Sequence, residues 1–279
     1  MLRFVCVGVL YLVLGCNASG NWCYEHEECG PSTWAEHFPS CGLNSQSPIN
    51  IVTWQVQRNL KLGPIHISSS SLPSSFVITN NGHTVEVVLS SQHILSGAGL
   101  KNNYRLAAFH LHFGSSPFAG EGSEHTINGK AFPLEIHFVF YNTKYEDLTE
   151  AKANPDGLAV VGVLFEIGHE NYALNNLINA LPQVAHKGES ATVAIDLQQM
   201  IPRSVVNYYK YQGSLTTPPC SENVAWHVIS SPAQLSQAQY ETIASSLYFT
   251  SRDSEEQSQM SNNFRPVQPR NGRTVYKFW

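Results

Sequence analysis

The chain has 279 residues, of which 42% are hydrophobic and 13% are charged, and its formal net charge is -5 at pH 7. This negative net charge gives no sign of a basic surface that would bind nucleic acid, which argues against a polyanion as partner. The length allows one large domain or two small ones, and the sequence contains no linker that would separate two domains.

The N-terminus has the form of a secretory signal peptide. An apolar run from Phe4 to Leu14 follows a single arginine and precedes small and polar residues. The run is shorter than the roughly 20 residues of a transmembrane helix. We therefore predict a signal peptide over residues 1–19 and one mature domain over residues 20–279. The C-terminus has no apolar tail of the kind removed during glycolipid attachment, so we expect a secreted, soluble protein with no transmembrane segment.

Four cysteines would remain after removal of the signal peptide: Cys23, Cys29, Cys41 and Cys220. In an oxidising compartment four thiols indicate two disulfides, and three pairings are open from the sequence alone. The short spacing of Cys23 and Cys29 favours a local bridge between them. That bridge would leave Cys41 to pair with Cys220.

Alternating or continuous apolar segments that end at turn residues predict a mostly β chain. In chain order these segments are residues 76–79, 83–89, 104–113, 134–141, 158–167 and 223–229. Asn81-Gly82 and the Pro-Asp-Gly turn at 155–157 separate some of them.

Two helices are also predicted. Apolar residues recur at helical spacing at Leu174, Leu177, Ile178 and Leu181. A second helix should begin at Ser231, because a capping serine, a first-turn proline and a capping-box glutamine at Gln234 precede Leu235.

Two predicted strands each place histidine on one face. His110 and His112 flank Leu111, and side chains two apart in a strand share a face. His137 occupies the strand 134–141. If the two strands are neighbours, the three imidazoles converge and leave the fourth tetrahedral position of a zinc ion open for water, as in catalytic sites. For His-x-His alone, a half-exposed strand with chance histidines is the simpler alternative.

With its two histidine-bearing strands, the chain resembles the α-class carbonic anhydrases. The resemblance covers nearly all of the mature chain and keeps the family's order of motifs. The four-cysteine pattern is similar to that of the extracellular, secreted or membrane-anchored branch. The matching segments are WCYE (22–25), GPSTW (30–34), QSPINI (46–51), NNGH (80–83), FHLHFG (109–114), GSEHT (122–126), LEIHFV (134–139), DGLAVVG (156–162), YQGSLTTPPC (211–220) and NFRPVQP (263–269).

The resemblance implies a single domain, mainly β with a few short helices, built on a large twisted and mostly antiparallel central sheet. It also implies a zinc lyase that reversibly hydrates CO2 to bicarbonate and a proton. In that family a zinc-bound hydroxide attacks CO2, and a histidine transfers the proton to solvent. Its partners would be the small molecules CO2 and bicarbonate, and we expect a monomer.

The resemblance implies residue roles as well. The zinc ligands would be His110, His112 and His137, with Glu135 accepting a hydrogen bond from the free ring N–H of His137. The implied catalytic residues are Thr216, which would pass a proton to Glu124, and the proton shuttle His83. Asn81 and Tyr24 would belong to the water network that links His83 to the metal. Thr217 would help hold bicarbonate. The residues implied around CO2 are Val139, Val160, Leu215 and Trp226.

One position departs from the family. Ala108 stands where the family commonly has a glutamine that accepts from the first zinc histidine, so His110 should be less firmly oriented. Two other functions remain open. A non-catalytic binding module would usually lack a ligand histidine, whereas all three are present here. A zinc hydrolase of esters would use the same hydroxide, and no His-Glu-x-x-His motif supports protease chemistry.

Overall fold

The computed structural model describes residues 22–68, 74–89, 92–200 and 204–279. The predicted signal peptide lies outside these ranges. The strands are β1 (Asn50–Ile51), β2 (Gln57–Arg58), β3 (Ile65–Ser68), β4 (Ser74–Asn80), β5 (Val85–Val88), β6 (Ile94–Gly97), β7 (Tyr104–Phe113), β8 (Thr126–Ile127), β9 (Leu134–Asn142), β10 (Leu158–Ile167), β11 (Ser190–Ile195), β12 (Ser204–Val205), β13 (Tyr208–Gly213), β14 (Val224–Ile229), β15 (Ala233–Leu235) and β16 (Tyr276–Lys277).

The helices are few and short. The α-helices are α1 (Trp34–His37), α2 (Leu148–Lys152), α3 (Asn175–Ala180), α4 (Leu197–Met200) and α5 (Gln237–Ser246). The described ranges also contain four short 3-10 helices, Pro39–Gly42, Thr53–Gln55, Tyr172–Leu174 and Leu181–Val184. In the described part of the chain, no helix combines the length and the apolar character needed to cross a bilayer.

Among the described residues a sheet of 14 strands dominates, and its main path runs β11-β4-β5-β7-β9-β10-β14-β13-β16-β2. Most neighbours are antiparallel, while β10 pairs parallel with β14 and β15, and β16 pairs parallel with β2. The predicted fold class, mainly β around one large and mostly antiparallel sheet, is therefore confirmed. The strands β1 and β8 form a separate parallel pair.

The long central strands are buried on both faces. Phe109, Leu111 and Phe113 of β7 point into the main hydrophobic core together with Ile136 and Phe138 of β9. The opposite face of the same strands carries the histidines. This explains the strict alternation of hydrocarbon and imidazole, because one face packs a core while the other builds a site.

One helix prediction is confirmed and the other is wrong. Helix α3 and its flanking 3-10 turns cover the predicted residues 174–181. Residues 233–235, however, form β15 and pair with the end of β10. Helix α5 begins later, where Ser236 and Gln239 make a reciprocal capping box. A serine followed three residues later by a glutamine occurs twice in succession. The first pair lies at β15, where pairing with β10 favours a strand over a helix.

Both predicted disulfides are present in the structure, Cys23–Cys29 and Cys41–Cys220. The second bridge joins residues 179 positions apart and packs against the buried Trp34. It ties the N-terminal segment to the loop that follows β13.

Candidate metal centre

Three histidines on two neighbouring strands meet at one point of the sheet. In the antiparallel pair β7·β9 the register sets His110 directly opposite His137. His112 lies two residues further along β7 on the same face. One ring nitrogen of each histidine lies within 4.8 Å of the other two. The predicted ligand set is thus brought together.

Hydrogen bonds to the far side of two rings fix which nitrogens face the common point. The Nδ1 atom of His112 lies 2.7 Å from the carbonyl oxygen of Asn263, so its Nε2 atom points inward. The Nε2 atom of His137 lies 2.8 Å from Oε1 of Glu135, so its Nδ1 atom points inward. A ring N–H held by an outer acceptor fixes the tautomer and leaves the other nitrogen as a metal ligand.

The donor set fits a zinc ion. Burial lowers the pKa of His110 and His137, and it lowers the pKa of His112 to about 4. The three imidazoles are therefore neutral at pH 7, as metal binding requires. The buried Nε2 atom of His112 has no hydrogen-bond partner among the described residues, which is costly unless a ligand occupies that position. Three protein nitrogens would leave a fourth zinc position for water.

A second group of possible ligands, formed by His125, Glu135 and His137, is a hydrogen-bond network instead. Oε1 of Glu135 lies 2.8 Å from Nδ1 of His125 and 2.8 Å from Nε2 of His137. His125 in turn contacts the hydroxyl of Tyr211 at 2.7 Å. Burial alone would raise the pKa of Glu135, but the adjacent His125 and His137 hold it well below its usual range. The carboxylate is thus charged and already satisfied.

Glycine at position 162 makes room for that carboxylate. Gly162 of β10 lies opposite His137, and a Cβ atom built on it would stand 2.8 Å from Oε1 of Glu135. Real Cβ atoms do not approach an oxygen so closely, and the backbone of β10 cannot retreat from its two neighbouring strands. The size of this residue therefore helps position Glu135.

Glu124 is buried beside the histidine cluster. Its Oε1 atom accepts the backbone N–H of Arg265 at 2.8 Å, and its Oε2 atom lies 3.5 Å from Nε2 of His112. Burial raises the pKa of Glu124 to about 7, while His137 and a hydrogen bond with the Thr216 side chain lower it. A cation at the cluster would favour the carboxylate form further.

A cleft of about 400 Å³ opens next to the histidines. Its walls include His110, Val139, Leu215 and Thr217. Val160 lies opposite Val139 in the sheet, and Trp226 lies opposite Val160, so the three side chains form a row across β9, β10 and β14. Val160 and Trp226 are almost fully buried beside Val139, and neither lines the cleft.

A smaller recess of about 100 Å³ adjoins the cleft and contains Tyr24, Asn81 and His83. The imidazole of His83 stacks on Trp22, with ring centroids 3.8 Å apart and an interplanar angle of 13°. Burial, aided by the charge of Lys187, lowers the pKa of His83 to about 4. Asn81 holds the turn, since its Oδ1 atom accepts the backbone N–H of His83 at 2.9 Å.

Comparison with known proteins agrees with this geometry. The sequence model of the family described as "Eukaryotic-type carbonic anhydrase" matches residues 29–278. The chain belongs to this family. It is similar to carbonic anhydrase 7 of Homo sapiens, with 42% identity over 258 residues that span 91% of this chain and 96% of the relative.

Two further relatives are similar to this chain over most of its length. Carbonic anhydrase 12 of Homo sapiens is 38% identical over 252 residues, which span 88% of this chain and 70% of the relative. Carbonic anhydrase 6 of Mus musculus is 38% identical over 268 residues, which span 94% of this chain and 82% of the relative. The chain is therefore an enzyme of the carbonic anhydrase family, and its two disulfides fit the extracellular branch.

The sequence analysis missed the roles of two residues that hold the carbonic anhydrase site together, Asn263 and Arg265. Asn263 supports His112 through its carbonyl oxygen and donates from its side chain to the carbonyl of Leu111 at 2.9 Å. The guanidinium of Arg265 bonds Gln46 and backbone carbonyls. Both residues lie in the NFRPVQP segment. The sequence analysis used this segment only as part of the family resemblance and assigned no role to its residues.

Two other residues, Ala108 and Glu86, line the cleft beside His110. Ala108 is buried beside His110 and offers no side-chain acceptor to its ring. Glu86 lies opposite His110 in the pair β5·β7 and lines both the cleft and the recess. Burial raises the pKa of Glu86, and the charge of Lys152 opposes that rise. Sequence reasoning gave Glu86 no role, because its strand neighbours carried no chemical signal.

Proposed function

We propose that this protein is a zinc enzyme that reversibly hydrates CO2 to bicarbonate and a proton. The observation that supports this best is the convergence of three neutral imidazoles, from His110, His112 and His137, at the edge of a partly apolar cleft. Bound zinc would lower the pKa of a water to about 7, the value known for carbonic anhydrase, and so supply hydroxide at neutral pH.

Thr216 and Glu124 would orient the nucleophile. In this proposal the Thr216 hydroxyl accepts a hydrogen bond from the attacking oxygen and donates its own proton to the carboxylate of Glu124. The pairing of Thr216 with Glu124 supports this, because a hydroxyl that donates to a carboxylate can only accept on its other side. Glu135 would keep the ring of His137 in the ligating tautomer.

The substrate would lie against the hydrocarbon wall of the cleft. CO2 is small and apolar, so a pocket of hydrocarbon beside the hydroxide suits it. We assign Val139 and Leu215 to direct contact with CO2, and Val160 and Trp226 to the buried hydrocarbon beside Val139. The indole N–H of Trp226 donates to the carbonyl of Ser214 at 2.9 Å, which anchors this side chain. Thr217 would help hold the bicarbonate product.

His83 would transfer the proton to solvent, with Tyr24 and Asn81 ordering the connecting water. While its ring is stacked on Trp22, the low pKa of His83 makes it a poor acceptor at pH 7. We therefore expect transfer from a position in which the imidazole has left the stack, because contact with water returns the pKa toward about 6.5.

We propose an extracellular, monomeric protein in which residues 1–19 form a signal peptide and residues 20–279 form the catalytic domain. Two disulfides among the four cysteines of the mature chain support an oxidising compartment.

A stopped-flow assay of CO2 hydration tests the proposed reaction. The purified protein and its His112→Ala variant are compared, with zinc content measured on both samples. We expect rapid hydration by the zinc-loaded protein, and loss of both zinc and activity in the variant. Hydration no faster than in buffer, from fully zinc-loaded protein, would favour the binding module instead. Ester hydrolysis by the same sample, if faster than hydration, would favour the hydrolase.

A further inference from the structure

Lys210 lies in a second cleft, on the face of the sheet turned away from the metal centre. In the pair β13·β14, Tyr211 lies opposite Trp226, and Lys210 lies opposite His227. Trp226 packs its ring 4.8 Å from that of His137, on the metal side. Because adjacent residues of a strand point to opposite faces, Lys210 and His227 lie on the other side.

The amino group of Lys210 is held by a neutral acceptor. Its Nζ atom donates to the carbonyl oxygen of Ala98 at 2.6 Å. Ala98 is fully buried and has a left-handed φ of 50°, between Gly97 and Gly99, which also have positive φ values. This tight turn presents its carbonyl to the amine. None of the ion pairs found in the described ranges includes Lys210.

The cleft around Lys210 has a volume of about 210 Å³, which admits small molecules. Three other ionisable groups line it, Lys101, Tyr104 and Asp156, and the fully buried His227 faces Lys210 from β14. The carboxylate of Asp156 is already occupied, since it accepts from the ammonium of Lys144 and from the hydroxyl of Tyr145, each at 2.7 Å. Lys210 thus lines a cleft that admits small solutes, and its amine has no counter-charge among the described residues.

Burial without a counter-charge favours the uncharged amine. It lowers the pKa of Lys210 to about 8, so that much of the group is neutral at slightly alkaline pH. A neutral primary amine is a nucleophile, and CO2 is a small electrophile that reacts with such amines without a further reagent.

We propose that Lys210 is a site of reversible carbamate formation with CO2. The lone pair of Nζ forms a bond to the carbon of CO2, and the electron pair of one C–O π bond moves to oxygen. The nitrogen then releases one proton to water, which leaves a carbamate with a single negative charge. The remaining N–H can keep its bond to the carbonyl of Ala98. Lys101, at the same cleft, supplies positive charge near the new anion.

This modification goes beyond the proposed catalysis, because dissolved CO2 reaches Lys210 whether or not the metal centre is active. To test it, the zinc-loaded protein is equilibrated at pH 8 with carbon-13-labelled bicarbonate and CO2. Carbamates are then trapped by alkylation with an oxonium salt and located by peptide mass spectrometry. We expect label on Lys210 at least about tenfold above that on the exposed residues Lys61 and Lys130, because more of this amine is neutral.

Two controls make the result decisive. The same labelling in denaturant should remove the excess at Lys210, because unfolding abolishes its burial. The His112→Ala variant, without the proposed catalysis, should label Lys210 as the native protein does. Label on Lys210 equal to that on Lys61 and Lys130 in the folded protein would overturn the proposal, as would an excess that persists after unfolding.

Discussion

Oε1 of Glu135 lies 2.8 Å from Nε2 of His137, with both side chains almost fully buried. The two residues are separated by one position on β9 and share a face of the sheet. The same oxygen also meets the ring of His125, and the space around it is left open by Gly162 on the next strand. The orientation of a proposed metal ligand thus depends on a strand that would provide no ligand itself.

Replacing that glycine should weaken zinc binding. In Gly162→Ala the new methyl group would displace the Glu135 carboxylate and release the ring of His137. Loss of such an outer hydrogen bond typically costs 10- to 100-fold in metal affinity, so we expect a zinc dissociation constant higher by about that factor. Competition with a chromophoric chelator measures it.

A double-mutant cycle provides the control for this prediction. Once Glu135→Ala has removed the carboxylate, adding Gly162→Ala should lower zinc affinity little further. Equal losses from Gly162→Ala in both backgrounds would show that the methyl group acts through general disruption of the strand.

Removal of His83 should slow turnover without affecting zinc. His83→Ala should reduce the rate of CO2 hydration on the order of tenfold or more in weak buffer, because the proton then lacks a carrier. Added imidazole should restore much of the rate. Replacement of His169, an exposed histidine that does not line the recess, serves as the control. An unchanged rate for His83→Ala in weak buffer would contradict the assigned role.

The two disulfides should differ in their contribution to stability. The Cys41–Cys220 bridge spans 179 residues, and Cys23–Cys29 spans 6. On the chain-entropy relation these loops correspond to about 5 and about 2 kcal/mol of constraint on the unfolded chain. Paired serine substitutions and urea unfolding measure both. A larger loss of unfolding free energy from the short bridge would contradict this account.

Acid should destabilise the fold partly through His227. Burial lowers the pKa of His227 to about 3, against about 6.5 in an unfolded chain. Between these values the unfolded chain binds more protons, so stability is present above pH 6.5 and is lost as the pH falls toward 3. In His227→Leu, the drop in unfolding free energy from pH 7 to pH 4.5 should be smaller by about 2 to 3 kcal/mol.

Urea titrations at the two pH values test this prediction. The exposed substitution His169→Leu should leave the acid-induced loss as it is in the native sequence, since that side chain stays in water when the chain folds. If His227→Leu and the native protein lose the same free energy, His227 does not titrate with the proposed shift.

Much of the sheet could be predicted because its central strands follow simple patterns. The bounds of β7 and β10 match the predicted segments 104–113 and 158–167, where apolar runs end at turn residues. The strand β13 was missed, because its tyrosines, lysine and glutamine show neither clear alternation nor a continuous apolar run. Its burial depends on neighbours far along the chain.

The convergence of the three histidines was predictable from the sequence, but the main-chain partners of their rings were not. Alternation placed His110 and His112 on one face, and the family resemblance completed the ligand set. The support of His112 comes from the carbonyl of Asn263, and every residue has a carbonyl, so no residue type signals that role. Similarly, the residue types assigned to the pocket do not reveal that Val139 lines the cleft while the neighbouring Val160 is buried, since this depends on tertiary packing.

The location of zinc in crystals of the loaded protein tests the central claim most directly. Anomalous scattering at the zinc edge should give one strong peak about 2.0 to 2.1 Å from a ring nitrogen of each of His110, His112 and His137, with a fourth ligand from solvent. A peak within the network of His125, Glu135 and His137, or a fourth ligand contributed by the protein, would contradict the account.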